Sequence, residues 1–171
     1  MLYYAGQGIG IVASILCIIL PLFRKKWKML ICSGISALCF GLNLILIGQN
    51  GTGVFISLVC VLQNVIALWH VAGNMAVSKI ENIIFLMLYV CCGAVGYKNM
   101  LDILPILASV FNMLAAFQPD VQKTRVFLLL NAISFCIYYG FVGATAVIAE
   151  VFAIFSTAGA LIKSIERKNL S

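Results

Sequence analysis

Charge is what this chain has least of. Only 9% of its 171 residues are Asp, Glu, Lys or Arg, where a water-soluble domain carries roughly 25%. An ordinary soluble fold is therefore excluded. So is a disordered chain, because 64% of the residues are apolar and disorder needs the opposite balance. There is one histidine, no pair of acids and no Ser or Cys with a convincing base, so nothing equips the chain for hydrolysis or group transfer, and no enzyme is expected. Cysteines number seven, but CxxC spacing is missing, their count is odd and all fall in apolar runs. They are expected to act as small hydrophobes, with neither metal nor disulfide. No cofactor is expected.

What is present is long apolar runs. Seven are long enough to be membrane-span candidates: 5–23, 29–48, 54–72, 82–97, 102–117, 126–142 and 144–163. Polar breaks separate them at 24–28, 49–53, 73–81, 97–101 and 118–125, the last containing Pro119. The thinnest boundary is Gly143 to Thr145, where a single kinked helix is the competing reading. Strands are not expected, because a lipid-facing barrel needs period-two alternation and these runs are continuously apolar. Residues 1–171 thus read as one all-α polytopic membrane domain with no room for a soluble one.

The basic residues are sided. No Lys or Arg precedes Arg24, so the first span lacks the leading charge of a cleaved signal peptide. Seven spans would place Arg24, Lys25, Lys26, Lys28, Lys79, Lys123, Arg125, Lys163, Arg167 and Lys168 on one side and only Lys98 on the other. That is the positive-inside pattern, with the N-terminus outside and the C-terminus cytoplasmic. The net charge of +6 is accounted for by topology, and no nucleic-acid partner is expected.

Shifting the chain on itself by 95 residues aligns Ile11 with Ile106, Ala13 with Ala108, Ser14 with Ser109, Lys28 with Lys123, Ala37 with Ala132, Phe40 with Phe135 and Gly48 with Gly143. After a two-residue gap, Ala67 and Leu68 meet Ala160 and Leu161. Span boundaries and basic loops coincide under the same shift. The expected architecture is two three-helix repeats, 5–72 and 102–163, joined by a linker helix at 82–97. Both repeats run in the same direction, so an axis along the membrane normal relates them.

This three-plus-one-plus-three plan resembles the SWEET and PQ-loop transporter superfamily, and within it the YgjV-type family of bacterial inner-membrane proteins. The resemblance rests on Ala5 to Ile15, the basic loop from Phe23 to Met29, Asn43 to Gly53 and Gly143 to Phe152. It implies a small helical bundle with a central route, an inner-membrane location and transport. One departure is that the Pro-Gln pair naming PQ-loop proteins is replaced here by Pro21-Leu22 and Gln118-Pro119.

Function must then come from polar residues inside the spans. Glu150 sits about 9 Å below the outer end of the seventh span, where an acid is costly enough to suggest a proton, cation or substrate contact. Its alternative is a structural acid bonded to neighbouring hydroxyls and amides. Gln63, Asn64 and Asn112 lie near the midplane, and Asn43 in the outer part of the second span. An amide offers donors and an acceptor to hydroxyl-rich or heterocyclic solutes, though it also serves as interhelical glue. SWEET-type transporters place an Asn on the third helix of each unit at the pocket; Asn64 resembles the first, and Thr157 stands at the second. Tyr138 or Tyr139 offers a ring to stack on a ligand. Pro105 is expected to kink the fifth span. Trp69 and His70 are expected at the cytoplasmic boundary as anchors, and the Gly6–Gly10 and Ser33–Ala37–Gly41 ladders as close helix contacts.

The expected function is a transporter moving an uncharged polar solute (a sugar, nucleoside or vitamin-like molecule) by alternating access. Its site would be Asn64, Asn112, Tyr138, Glu150, Asn43, Gln63 and Thr157. The competing class is a non-transporting membrane module that stabilises or regulates a complex. Expected partners are the lipid bilayer and a small-molecule substrate; homo-oligomerisation is left open.

Overall fold

The computed structural model describes residues 2–46, 48, 52–97, 99–142 and 146–169. Lys98 and the boundary Gly143 to Thr145, on which part of the topology reading rests, lie outside the described residues.

In hydrocarbon no water can satisfy the backbone, so an apolar chain must bond its own N–H and C=O groups within each segment. The described residues accordingly form seven α-helices: α1 (Leu2–Ile19), α2 (Lys26–Leu46), α3 (Thr52–Ala72), α4 (Lys79–Gly96), α5 (Ile103–Phe117), α6 (Val121–Val142) and α7 (Ala146–Asn169). Short 3-10 turns close α1 at Leu20–Leu22 and lead into α5 at Met100–Asp102. Helix ends fall where polar breaks interrupt the apolar runs. Among the described residues, four segments are long and apolar enough to cross a membrane: Leu2–Leu22, Lys26–Leu46, Gly53–Ala72 and Val147–Ser164. By contrast, α5 is a shorter apolar helix, and α4 and α6 carry charge in their first turns.

Neighbours in sequence pack as neighbours in space. The broadest contacts join α1 to α2, α2 to α3, α5 to α6 and α6 to α7; α4 bridges α3 and α5, while α1 meets α7. Small residues make the close approaches. A Cβ on Gly10 would come within 2.7 Å of Asn43 Nδ2, one on Gly41 within 3.2 Å of Ser57 Cβ, and one on Gly93 would collide with Ile106.

Polarity is distributed inside out. Large apolar side chains such as Phe55, Val65, Ile83, Phe152 and Phe155 are exposed, whereas Lys26, Ser36, Gln63, Asn64, Thr124 and Arg125 are buried. In water this would be untenable; facing lipid it is the expected arrangement. An apolar core of Leu30, Ala67, Phe85, Tyr89, Met113, Ala116 and Phe117 lies between α2, α3, α4 and α5, with the rings of Phe85 and Phe117 edge-to-face at 5.3 Å.

Two expectations change. Pro105 lies in the first turn of α5, where a missing N–H breaks no helical bond, so the anticipated mid-span kink has no cause there. His70 is more than an anchor. Its Nε2 lies 3.0 Å from Glu81 Oε1, tying the end of α3 to the start of α4. Ser78 and Glu81 form a capping box there: Ile80 N–H donates to Ser78 Oγ and Ser78 N–H to Glu81 Oε2 at 2.7 Å. The Ser-x-x-Glu spacing was a readable signal for that cap.

Candidate functional site

A cavity of about 540 Å³ lies at the centre of the bundle, with walls from every helix. That is ligand-sized. Of the residues expected at a site, Asn43, Asn112, Tyr138, Glu150 and Thr157 line it; Gln63 and Asn64 do not.

The reason is azimuth, not depth. Gln63 is fully buried on the side of α3 that faces α4 and α5. Its Nε2 donates to Met113 O at 2.9 Å, and its Oε1 accepts from Tyr89 Oη at 2.6 Å. It thereby fixes Tyr89, whose ring does line the cavity. Asn64 is 3% exposed, donates to Cys60 O at 2.8 Å, and leaves its Oδ1 without a partner among the described residues. Thr157, its counterpart by repeat position, donates to Ala153 O. Nothing is described of the Tyr139 side chain.

The residues that do face the cavity have restrained partners. Asn112 Nδ2 points to Cys60 Sγ at 3.2 Å, a weak acceptor, with the Tyr89 hydroxyl as a second neighbour. Asn43 donates to Gly6 O at 2.7 Å, made reachable by the missing side chain at Gly10. Glu150 is half-buried on the wall.

The cavity also contains groups that the expected site left out. Ser36, Ser57, Ser109 and Asn131 add polar atoms, and Phe40, Phe135 and Tyr89 add rings. The 95-residue shift was the signal that could have found several of them. Under it Cys17 pairs with Asn112, Ser36 with Asn131, Phe40 with Phe135 and Asn43 with Tyr138, and all eight line the cavity. The bonds pair as well: Ser36 Oγ donates to Ala13 O at 3.0 Å, and Asn131 Nδ2 to Ala108 O at 2.8 Å.

One end of the cavity is held by crossed cations. Pro21 is part of the wall, and its carbonyl accepts from Arg125 Nε at 2.9 Å, while Phe23 O accepts from Arg125 Nη2 at 3.0 Å. In the other direction Lys26 Nζ donates to Ala115 O at 2.5 Å and Thr124 Oγ1 at 2.8 Å. A cation from the start of α6 thus caps the end of α1, and one from the start of α2 caps the end of α5. Both sit where exposed carbonyls and the helix dipole favour positive charge. No group of His, Cys, Asp or Glu among the described residues is placed to hold a metal ion.

The family model for Imp-YgjV, described as bacterial inner membrane protein, matches residues 4–168. No curated protein and no solved structure matches the chain.

Proposed function

The chain belongs to the Imp-YgjV family of bacterial inner membrane proteins, and from that premise we propose that it is a transporter for a small, uncharged polar solute. The observation that carries this reading is the central cavity of about 540 Å³. It combines amides (Asn43, Asn112, Asn131), hydroxyls (Ser36, Ser57, Thr157), rings (Tyr89, Tyr138) and one carboxylate, Glu150. Amides and hydroxyls recognise hydroxyl-rich or heterocyclic solutes such as sugars, nucleosides or vitamins, and rings can stack on them. A non-transporting module would have no use for so large a central cavity carrying these polar groups on its mainly apolar wall.

In this reading the chain crosses the membrane seven times, N-terminus outside, as a SWEET-like pair of three-helix units with α4 as linker. The paired cavity residues and paired hydrogen bonds under the 95-residue shift support it. The units rock about the cavity, and the crossed ties of Lys26 and Arg125 close its cytoplasmic end. Glu150 couples proton movement to the solute.

The test is a thermal-stabilisation screen of the purified protein against sugars, nucleosides and vitamins. A stabilising compound should lose its effect in Asn112→Ala and in Glu150→Gln while both variants remain folded. No stabilisation by any class, or stabilisation undiminished in both variants, would count against transport through this cavity.

A further inference from the structure

The geometry points to a second binding site, for a phosphate-bearing anion, at the basic end of the bundle between the 3-10 turn, α6 and α7. A separate cavity of about 380 Å³ lies there, lined by Arg24, Arg125, Lys163, Gln122 and Ser164. Three cations surround one small space, and among the described residues no carboxylate approaches any of them; the single ion pair found is His70 with Glu81. Like charges held this close repel one another, and a bound anion removes that penalty.

The site is built, not merely a basic surface. Arg125 is 5% exposed, and its Nε and Nη2 are fixed by Pro21 O and Phe23 O. Only Nη1 is loosely engaged, 3.3 Å from Gln122 Oε1 and 3.5 Å from Ala160 O. Both of those bonds are long, and a phosphate oxygen, as a charged acceptor, would replace them with a shorter and stronger one. Gln122 Nε2 donates to Ser164 Oγ, which joins α6 to α7 across the pocket and sets two further polar groups on its wall. Asp120, just ahead of α6, is committed elsewhere: its Oδ1 accepts from Gln122 N–H.

Exposed Arg24 and Lys163 form the rim, beside exposed, lipid-directed Leu22 and Ile162. Phosphate can therefore arrive on an anionic lipid, its headgroup in the pocket and its chains along those side chains, or as a free phosphate from the cytoplasm. Basic pockets between helices on that side of a membrane suit anionic headgroups.

The test uses the full chain in mild detergent, melted by tryptophan fluorescence with phosphatidylglycerol, phosphatidylcholine or inorganic phosphate. Phosphatidylglycerol should raise the melting temperature saturably and phosphatidylcholine should not. The pair Arg24→Gln with Lys163→Gln removes two rim charges and should weaken the effect by roughly 30-fold. The charge-matched pair Lys25→Gln with Lys28→Gln, outside the pocket, should leave it intact. Stabilisation by inorganic phosphate alone, lost in the same rim pair, supports the site and makes its ligand a soluble phosphate. No response to either anion, or equal responses in the two variant pairs, overturns the site.

Discussion

Two amides, one facing the cavity and one behind its wall, show how far a residue's type is from its role. Asn112 faces the cavity, with a weak sulfur acceptor and the Tyr89 hydroxyl beside its amide, so Asn112→Ala should cost about 0.5 to 1.5 kcal/mol yet abolish ligand stabilisation. Gln63 lies behind the wall with both its ends bonded. Gln63→Ala strands the Tyr89 hydroxyl and the Met113 carbonyl in the core and should cost about 2 to 4 kcal/mol, and because it also frees Tyr89 on the cavity wall it should weaken ligand stabilisation in part without abolishing it. Melting curves with and without ligand separate the two behaviours. Sequence alone could not have told these residues apart. Depth along a span follows from 1.5 Å per residue, and both amides were expected near mid-span on that count. Direction around the helix needs a polarity contrast between faces, which a helix bounded by lipid on one side and apolar core on the other does not offer.

At the scale of whole helices the sequence was more legible, because the events that end a helix in lipid are charges and turn residues. The break after Leu46 contains Gly48 with φ of 78°, a backbone region that favours glycine. Small residues at helix crossings were legible as ladders, but their partners were not. Gly93, in none of those ladders, proves to be where α4 meets Ile106 of α5, and Gly93→Val should destabilise by about 1 to 3 kcal/mol through overpacking, measurable as a lowered melting temperature. The turn between α3 and α4 yields a pH prediction. Glu81 lies ahead of the span, and the Ser78 N–H, with His70 beside it, holds its carboxyl below the ordinary value of 4.5. A depressed carboxyl stabilises the fold above its unfolded value and loses that contribution as pH falls through the folded one. The gap in melting temperature between the protein and Glu81→Gln should therefore hold near neutrality and shrink below pH 4.5. A gap that grows on acidification would contradict this account.

For the molecule as a whole, the proposed repeat and the basic residues converge on one device. Lys26 from the N-terminal half caps the end of α5, and Arg125 from the C-terminal half caps the turn after α1. In the proposed orientation this end of the cavity is cytoplasmic, and if the crossed ties hold it shut, either one alone should keep much of that closure. Lys26→Met should cost about 1.5 to 3 kcal/mol, the range for hydrogen bonds from a charged group, and Arg125→Met a similar amount. Because the two ties bridge the same boundary, the double variant should differ from the sum of the singles by about 0.5 to 3 kcal/mol. Access provides an independent readout. Cys17 lines the cavity, so in a protein retaining it as the sole cysteine, a membrane-impermeant maleimide supplied from the cytoplasmic face should label slowly. Labelling should quicken modestly in each single variant and sharply in the double. A double variant that melts lower but labels at the original rate would reduce Lys26 and Arg125 to helix caps and place the cytoplasmic gate elsewhere.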